Sequence, residues 1–214
     1  STFISKYLGS GNNKIVLITI SYFILLLACA FFLSNEAGDY NIFLATTSEI
    51  FKYSHLGDPK FFITAAIDIA HNGWITTANE WILNLWPPGF ILLEALIIKF
   101  FGVNAPIIVI LQVLASFLFS IVSLLLFQFL KKYINNYVAY FLPMIVFIFP
   151  MSRVFLLGPI GVSLGETFSI GFFLIFMLLS IRAATNKSIL LTVSAGIFLG
   201  LSAYFRSYFE TILL

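Results

Sequence analysis

"WPPGFILLEALIIKFFG" occupies residues 86–102, and its reading sets the path of everything that follows. Pro87 and Pro88 can open a helix, because the first helical N–H groups need no internal partner. A helix over 88–101 is about 21 Å long, short of the roughly 30 Å hydrocarbon core of a bilayer. Glu94, in its middle, would be costly if it faced lipid. The stretch therefore reads as a juxtamembrane or partly sunk helix. A true crossing here would reverse the direction of every later segment.

Upstream, "HLGDPKFFITAAIDIAHNGW" (55–74) places two aspartates, a lysine and two histidines in an otherwise apolar chain. Over 59–72, Phe61, Ala65 and Ile69 share a helical face with Phe62 and Ala66. Lys60, Thr64, Asp68 and His71 form the polar stripe. Over 40–53, Tyr40, Phe43, Leu44, Thr47, Ile50 and Phe51 line one face. Both segments read as amphipathic helices on the membrane surface, and Gly73 is a C-terminal stop for the second.

The rest of the chain explains why a membrane is expected. The 214 residues are 61% hydrophobic and 9% charged, with mean hydropathy +1.06. Soluble domains carry about 25% charged residues. Apolar stretches at 15–33, 106–130, 137–157, 162–182 and 188–212 are candidate spans. The expected fold is an all-α, polytopic transmembrane bundle of about five spans. Its large first external loop, 34–105, carries the juxtamembrane helices. The whole of 1–214 reads as one transmembrane domain. The chain stops within the apolar run "YFRSYFETILL", so it is expected to be part of something longer.

Lys6 and Lys14 precede the first span, and "ACA" at 28–30 resembles a cleavage site. The apolar run continues past Cys29, which favours a retained span. A lone cysteine forbids an intrachain disulfide. A net charge of +2 and no basic run beyond Lys131–Lys132 give no footing for nucleic acid. With the N-terminus inside, six cations lie inside and five outside, a positive-inside arrangement. All nine acids fall on the outer side.

The order of parts resembles the GT-C superfamily of membrane glycosyltransferases, in the branch of protein mannosyltransferases and the lipid A aminoarabinose transferase. The carrying residues are Asp58, Phe61/Phe62, Ala65/Ala66, Gly73, Pro87–Pro88 and Phe101–Gly102, then "SLGETF" (163–168) and "GIFLGLSAYFRS" (196–207). They extend over most of 15–212, and their specificity lies in order and spacing. The branch usually has a second acid beside the first, whereas Pro59 and Lys60 follow Asp58 here.

The resemblance implies transfer of a sugar from a polyprenyl-phosphate donor to an acceptor (glycan, lipid or protein) on the extracytoplasmic face. The setting is the bilayer, expected to be a bacterial inner membrane. Such chemistry needs a carboxylate base and cations against the departing phosphate. A divalent metal ion is the one cofactor the resemblance brings in.

Asp58 is the first candidate base. Its residue type and the following Pro59 equally suit a helix N-cap. Asp39 is the second candidate, with a similar capping alternative. Arg206 is the leading phosphate ligand, about 28 Å along a helix from Lys187; the alternative is an interfacial anchor. Arg153 repeats that case. Glu166, at the start of a span, can face a cavity or pair with Arg153 or Arg206. Lys60 can meet phosphate or snorkel to headgroups. Trp74, Trp81 and Trp86 can stack on sugar or form an interfacial belt. Asp68 reads as a solvated or salt-bridged face residue. A transporter, flippase or non-catalytic assembly subunit is the alternative function.

Overall fold

The computed structural model describes residues 11–36, 58–77, 79–148 and 164–206, except the side chains of 11–13, 30–36, 58, 59, 146–148 and 164. The described residues are all helical or connecting. In chain order the helices are α1 (Gly11–Glu36), α2 (Asp58–Asn72), α3 (Glu80–Leu85), α4 (Pro88–Phe101), α5 (Ile107–Leu130), α6 (Asn136–Ile148), α7 (Leu164–Asn186) and α8 (Ile189–Phe205).

Two described helices, Ile107–Leu130 and Gly165–Asn186, are long and apolar enough to cross a membrane. Lys14–Cys29 and Ile189–Phe205 are shorter apolar helices. The expected helices over 59–72 and 88–101 are present as α2 and α4. The surface helix expected over 40–53, and the span ends over 149–157 and 207–212, lie outside the described residues. One expectation needs correction: helix α8 does not run on through 206. It ends at Phe205, and Arg206 has extended backbone (φ −155°, ψ 123°) with its N–H still bonded to the Ser202 carbonyl. Helix α3 was not anticipated.

The punctuation follows local chemistry. α2 ends at Gly73, whose φ of 76° is the left-handed region that glycine enters without strain; its N–H bonds to the Ile69 carbonyl at 2.9 Å. α4 starts at Pro88 and ends before Gly102, φ 82°. α8 opens on Ser188, whose hydroxyl accepts from the Leu191 N–H at 3.4 Å.

Helix directions come from named contacts. The site of Gly171 on α7 lies against Leu118 and Phe119 of α5. Eleven residues later, Arg182 of α7 reaches Gln128 of α5, ten residues past Leu118. These two helices therefore run parallel. α8 runs back along α7, its most extensive partner. The two are locked by reciprocal bonds: Ser169 Oγ donates to the Ser202 carbonyl at 2.7 Å, and Ser202 Oγ to the Ser169 carbonyl at 2.9 Å. Small residues let the backbones approach this closely. α1 packs on α5 and α6, where Tyr22 stacks on Tyr140 and donates to its backbone carbonyl at 2.8 Å.

The α2–α4 unit folds over the bundle end where α7 begins and α8 ends. A Cβ at Gly165 would touch Phe90, and a Cβ at Gly89 would lie 2.5 Å from the Tyr204 carbonyl oxygen. One buried cluster joins Leu26, Phe62, Phe90, Leu111 and Phe168. The surface unit and the spans thus share a core.

Candidate functional site

The chemistry-bearing side chains gather at this same end. α7 presents Glu166 in its first turn, and Arg206 follows the end of α8. Arg206 Nη2 donates to Glu166 Oε1 at 2.5 Å, with the side chains 22% and 23% exposed. A charge-assisted bond this short is among the stronger hydrogen bonds, and partial shielding from water strengthens it over an exposed pair. Of the two partners expected for Glu166, Arg206 is the one observed. Arg153 and Asp39 lie outside the described residues.

Phe205 connects this pair to an apolar groove between α2 and α4. The groove has a volume of about 470 Å³ and is lined by Ile69, Ala70, Leu92, Leu96, Lys99 and Phe205. It follows α4 from Gly89 to Lys99, about 15 Å of helix. Its walls suit an alkyl or isoprenyl chain; Lys99 is the cation in its lining, and Arg206 is the chain neighbour of Phe205.

Asp58 is the first residue of α2, and its side chain is outside the described atoms. Lys60 is half-buried and has no ion-pair partner among the described residues. Its backbone carbonyl accepts from Thr64 Oγ1 at 2.8 Å.

Asp68 is not free, and among the described residues it has no salt bridge. Its Oδ2 accepts from Asn79 Nδ2 and Thr76 Oγ1, both at 2.6 Å, and from the Thr76 N–H at 3.4 Å. The bonds from Asn79, then Thr76, hold its carboxyl below the usual range. Asp68 therefore clamps the connection between α2 and α3. No helical spacing could reveal this, because both partners lie beyond a turn.

Glu94 is turned inward and 4% exposed, with Oε2 unpartnered among the described residues. Burial pushes its carboxyl well above the usual range. Gln112 on α5 is also fully buried, and both its amide atoms lack a described partner. Its signal in sequence is an amide deep within an apolar helix, sixteen residues from the only other one, Gln128. Trp81 and Trp86 pack on Phe61, with ring centroids 5.1–6.2 Å apart; Trp74 stands 64% exposed.

Among the described residues, no group of three or more His, Cys, Asp or Glu side chains comes together to hold a metal. Glu166 is already engaged by Arg206, so the described side chains do not fit a metal centre. Comparison with protein family models, curated proteins and solved structures gives no match to the chain.

Proposed function

We propose that this chain is the membrane part of a glycosyltransferase that uses a polyprenyl-phosphate sugar at the extracytoplasmic face of a bacterial inner membrane. The observation that carries the reading is Arg206, fixed by Glu166 and one residue from Phe205 in the apolar groove. A lipid phosphate needs both halves of that arrangement, a cation and an apolar trench. The order of surface helix, Pro-Pro and short helix, shared with the GT-C branch, supports the same reading.

In this scheme Asp58, or Asp39 in its place, takes a proton from the acceptor hydroxyl or amine as that atom attacks the anomeric carbon. The bond from that carbon to the phosphate oxygen breaks, and the polyprenyl phosphate leaves as an anion. Arg206 offsets the charge gathering on the phosphate, and Glu166 positions Arg206. Lys60 is a second phosphate contact, and Arg153 a further one.

The test is transfer of a labelled sugar from a polyprenyl-phosphate donor in membranes holding the full protein. Asp58→Asn is expected to lower transfer by about 10²–10⁴-fold, the usual contribution of a general base. Arg206→Ala is expected to lower it strongly, with partial recovery in Arg206→Lys. Wild-type rates in both Asp58→Asn and Arg206→Ala, at equal protein level, would reject the scheme.

A transporter or flippase is the second reading. Pro143 within α6 is the observation favouring it, because proline interrupts the helical hydrogen bonding of a span. It expects substrate movement with no sugar transfer in the wild-type protein.

A further inference from the structure

The opposite end of the bundle carries chemistry of its own. Two short connections lie at that end, 131–135 after α5 and 187–188 after α7. They supply Lys131, Lys132 and Lys187, all exposed. Arg182 joins them, anchored by Nη2 donating to Gln128 Oε1 at 2.6 Å across the α5–α7 contact. Lys131 Nζ sits 5.6 Å from the centroid of the Phe127 ring. The stretches 121–140 and 171–195 contain no Asp or Glu, so neither helix pair offers these cations an acid.

Large apolar side chains alternate with the cations. Tyr133, Tyr137, Ile189 and Leu190 are 71%, 78%, 82% and 76% exposed. Water alone is a poor solvent for such a rim, whereas the boundary between headgroups and acyl chains suits both parts. Aromatic and cationic residues are enriched at that depth.

We propose that this end is a binding site for anionic phospholipid headgroups, formed by Lys131, Lys132 and Lys187 around the fixed Arg182. A free phosphate matches the cations but leaves the exposed Ile189 and Leu190 unanswered. A lipid answers both, with phosphate on the lysines and chains along the apolar rim. The site is independent of the transferase reading.

The test uses the purified full chain in mixed micelles of phosphatidylglycerol and phosphatidylcholine, with retained lipids counted by native mass spectrometry. The wild type is expected to retain phosphatidylglycerol preferentially, and added salt should erode the preference. Each lysine changed to Gln should lower the preference about fivefold. The triple Lys→Arg variant should keep it. Lys60→Gln with Lys99→Gln, at the other end, should lower it less than Lys131→Gln with Lys132→Gln.

The proposal fails on any of three results: no wild-type preference, full preference in K131Q/K132Q/K187Q, or equal loss in K60Q/K99Q. Displacement of the lipid by millimolar inorganic phosphate would also overturn it, since a bare anion would then suffice. If the triple Gln variant does not fold, single K132Q and K187Q variants carry the same comparison.

Discussion

Gly89 shows how one residue places the candidate site. A Cβ there would lie 2.5 Å from the Tyr204 carbonyl oxygen and 2.9 Å from the Phe205 ring. The carbonyl belongs to the last turn of α8 and cannot rotate away. Gly89→Ala should therefore force α4 off the end of α8, at a cost of about 1–3 kcal/mol, as overpacking usually brings. At Gly171 the closest neighbour is the flexible tip of Leu118, so Gly171→Ala should cost less. Thermal unfolding of the two variants in detergent checks the order; an equal or reversed order would count against the close approach at Gly89. Single residues were unevenly legible. The cost of a lipid-facing Glu94 argued for a juxtamembrane helix, but its turn into the core was not legible. For Glu166 the sequence left Arg153 and Arg206 both open as partners, and the fold brings Arg206 to it. The end of α8 before Arg206 was not readable, since the apolar pattern runs on without a glycine or proline to stop it.

At the level of elements, the α2–α4 unit depends on a polar clamp as well as on its apolar faces. Asp68 joins α2 to the residues before α3 through Thr76 and Asn79. Its pKa is lowered in the folded chain. Between the folded and unfolded values the unfolded chain binds more protons, so stability rises with pH there. The contribution is complete above the unfolded value of about 3.9 and is lost as pH falls through the folded value. Asp68→Ala should cost about 1 kcal/mol near neutral pH, a charged hydrogen bond discounted for partial exposure. Asp68→Asn should narrow that loss and remove this part of the acid sensitivity. Proteolysis at the connection between α2 and α3, followed from pH 6 to pH 3, checks both; identical profiles for wild type and Asp68→Asn would show that the clamp does not matter. α2 and α4 were legible because amphipathic spacing and Pro-Pro are local signals. α3 was not: six residues are under two turns, too few for a period to show. It is held instead by tertiary packing, with Trp81 and Trp86 against Phe61.

For the whole molecule, the parallel run of α5 and α7 is the strongest constraint on the path of the chain. Two parallel helices need a return between them, and α6 begins it, with Tyr140 packed on Phe127 of α5. The expected order 106–130, 137–157, 162–182 has its first and third segments travel the same way, whether or not 88–101 crosses. Both contacts of α4 with the span ends, Phe90 against Gly165 and Gly89 against Tyr204, lie where α7 starts and α8 stops. In the orientation proposed above, the Lys131, Lys132 and Lys187 end is expected to face the cytoplasm by the bias of positive charge, with Asp68, Glu166 and Arg206 on the outer side. A cysteine at Asn135, in the exposed turn after α5, is expected to resist a membrane-impermeant thiol reagent until the bilayer is opened. A cysteine at Asn72, exposed at the end of α2, is expected to react from outside at once. Both are placed in a Cys29→Ser background so that the native thiol does not contribute. Immediate labelling at Asn135 would invert the molecule and put the Arg206–Glu166 pair on the cytoplasmic side. Equal labelling at both positions from outside would mean that no span separates the two ends.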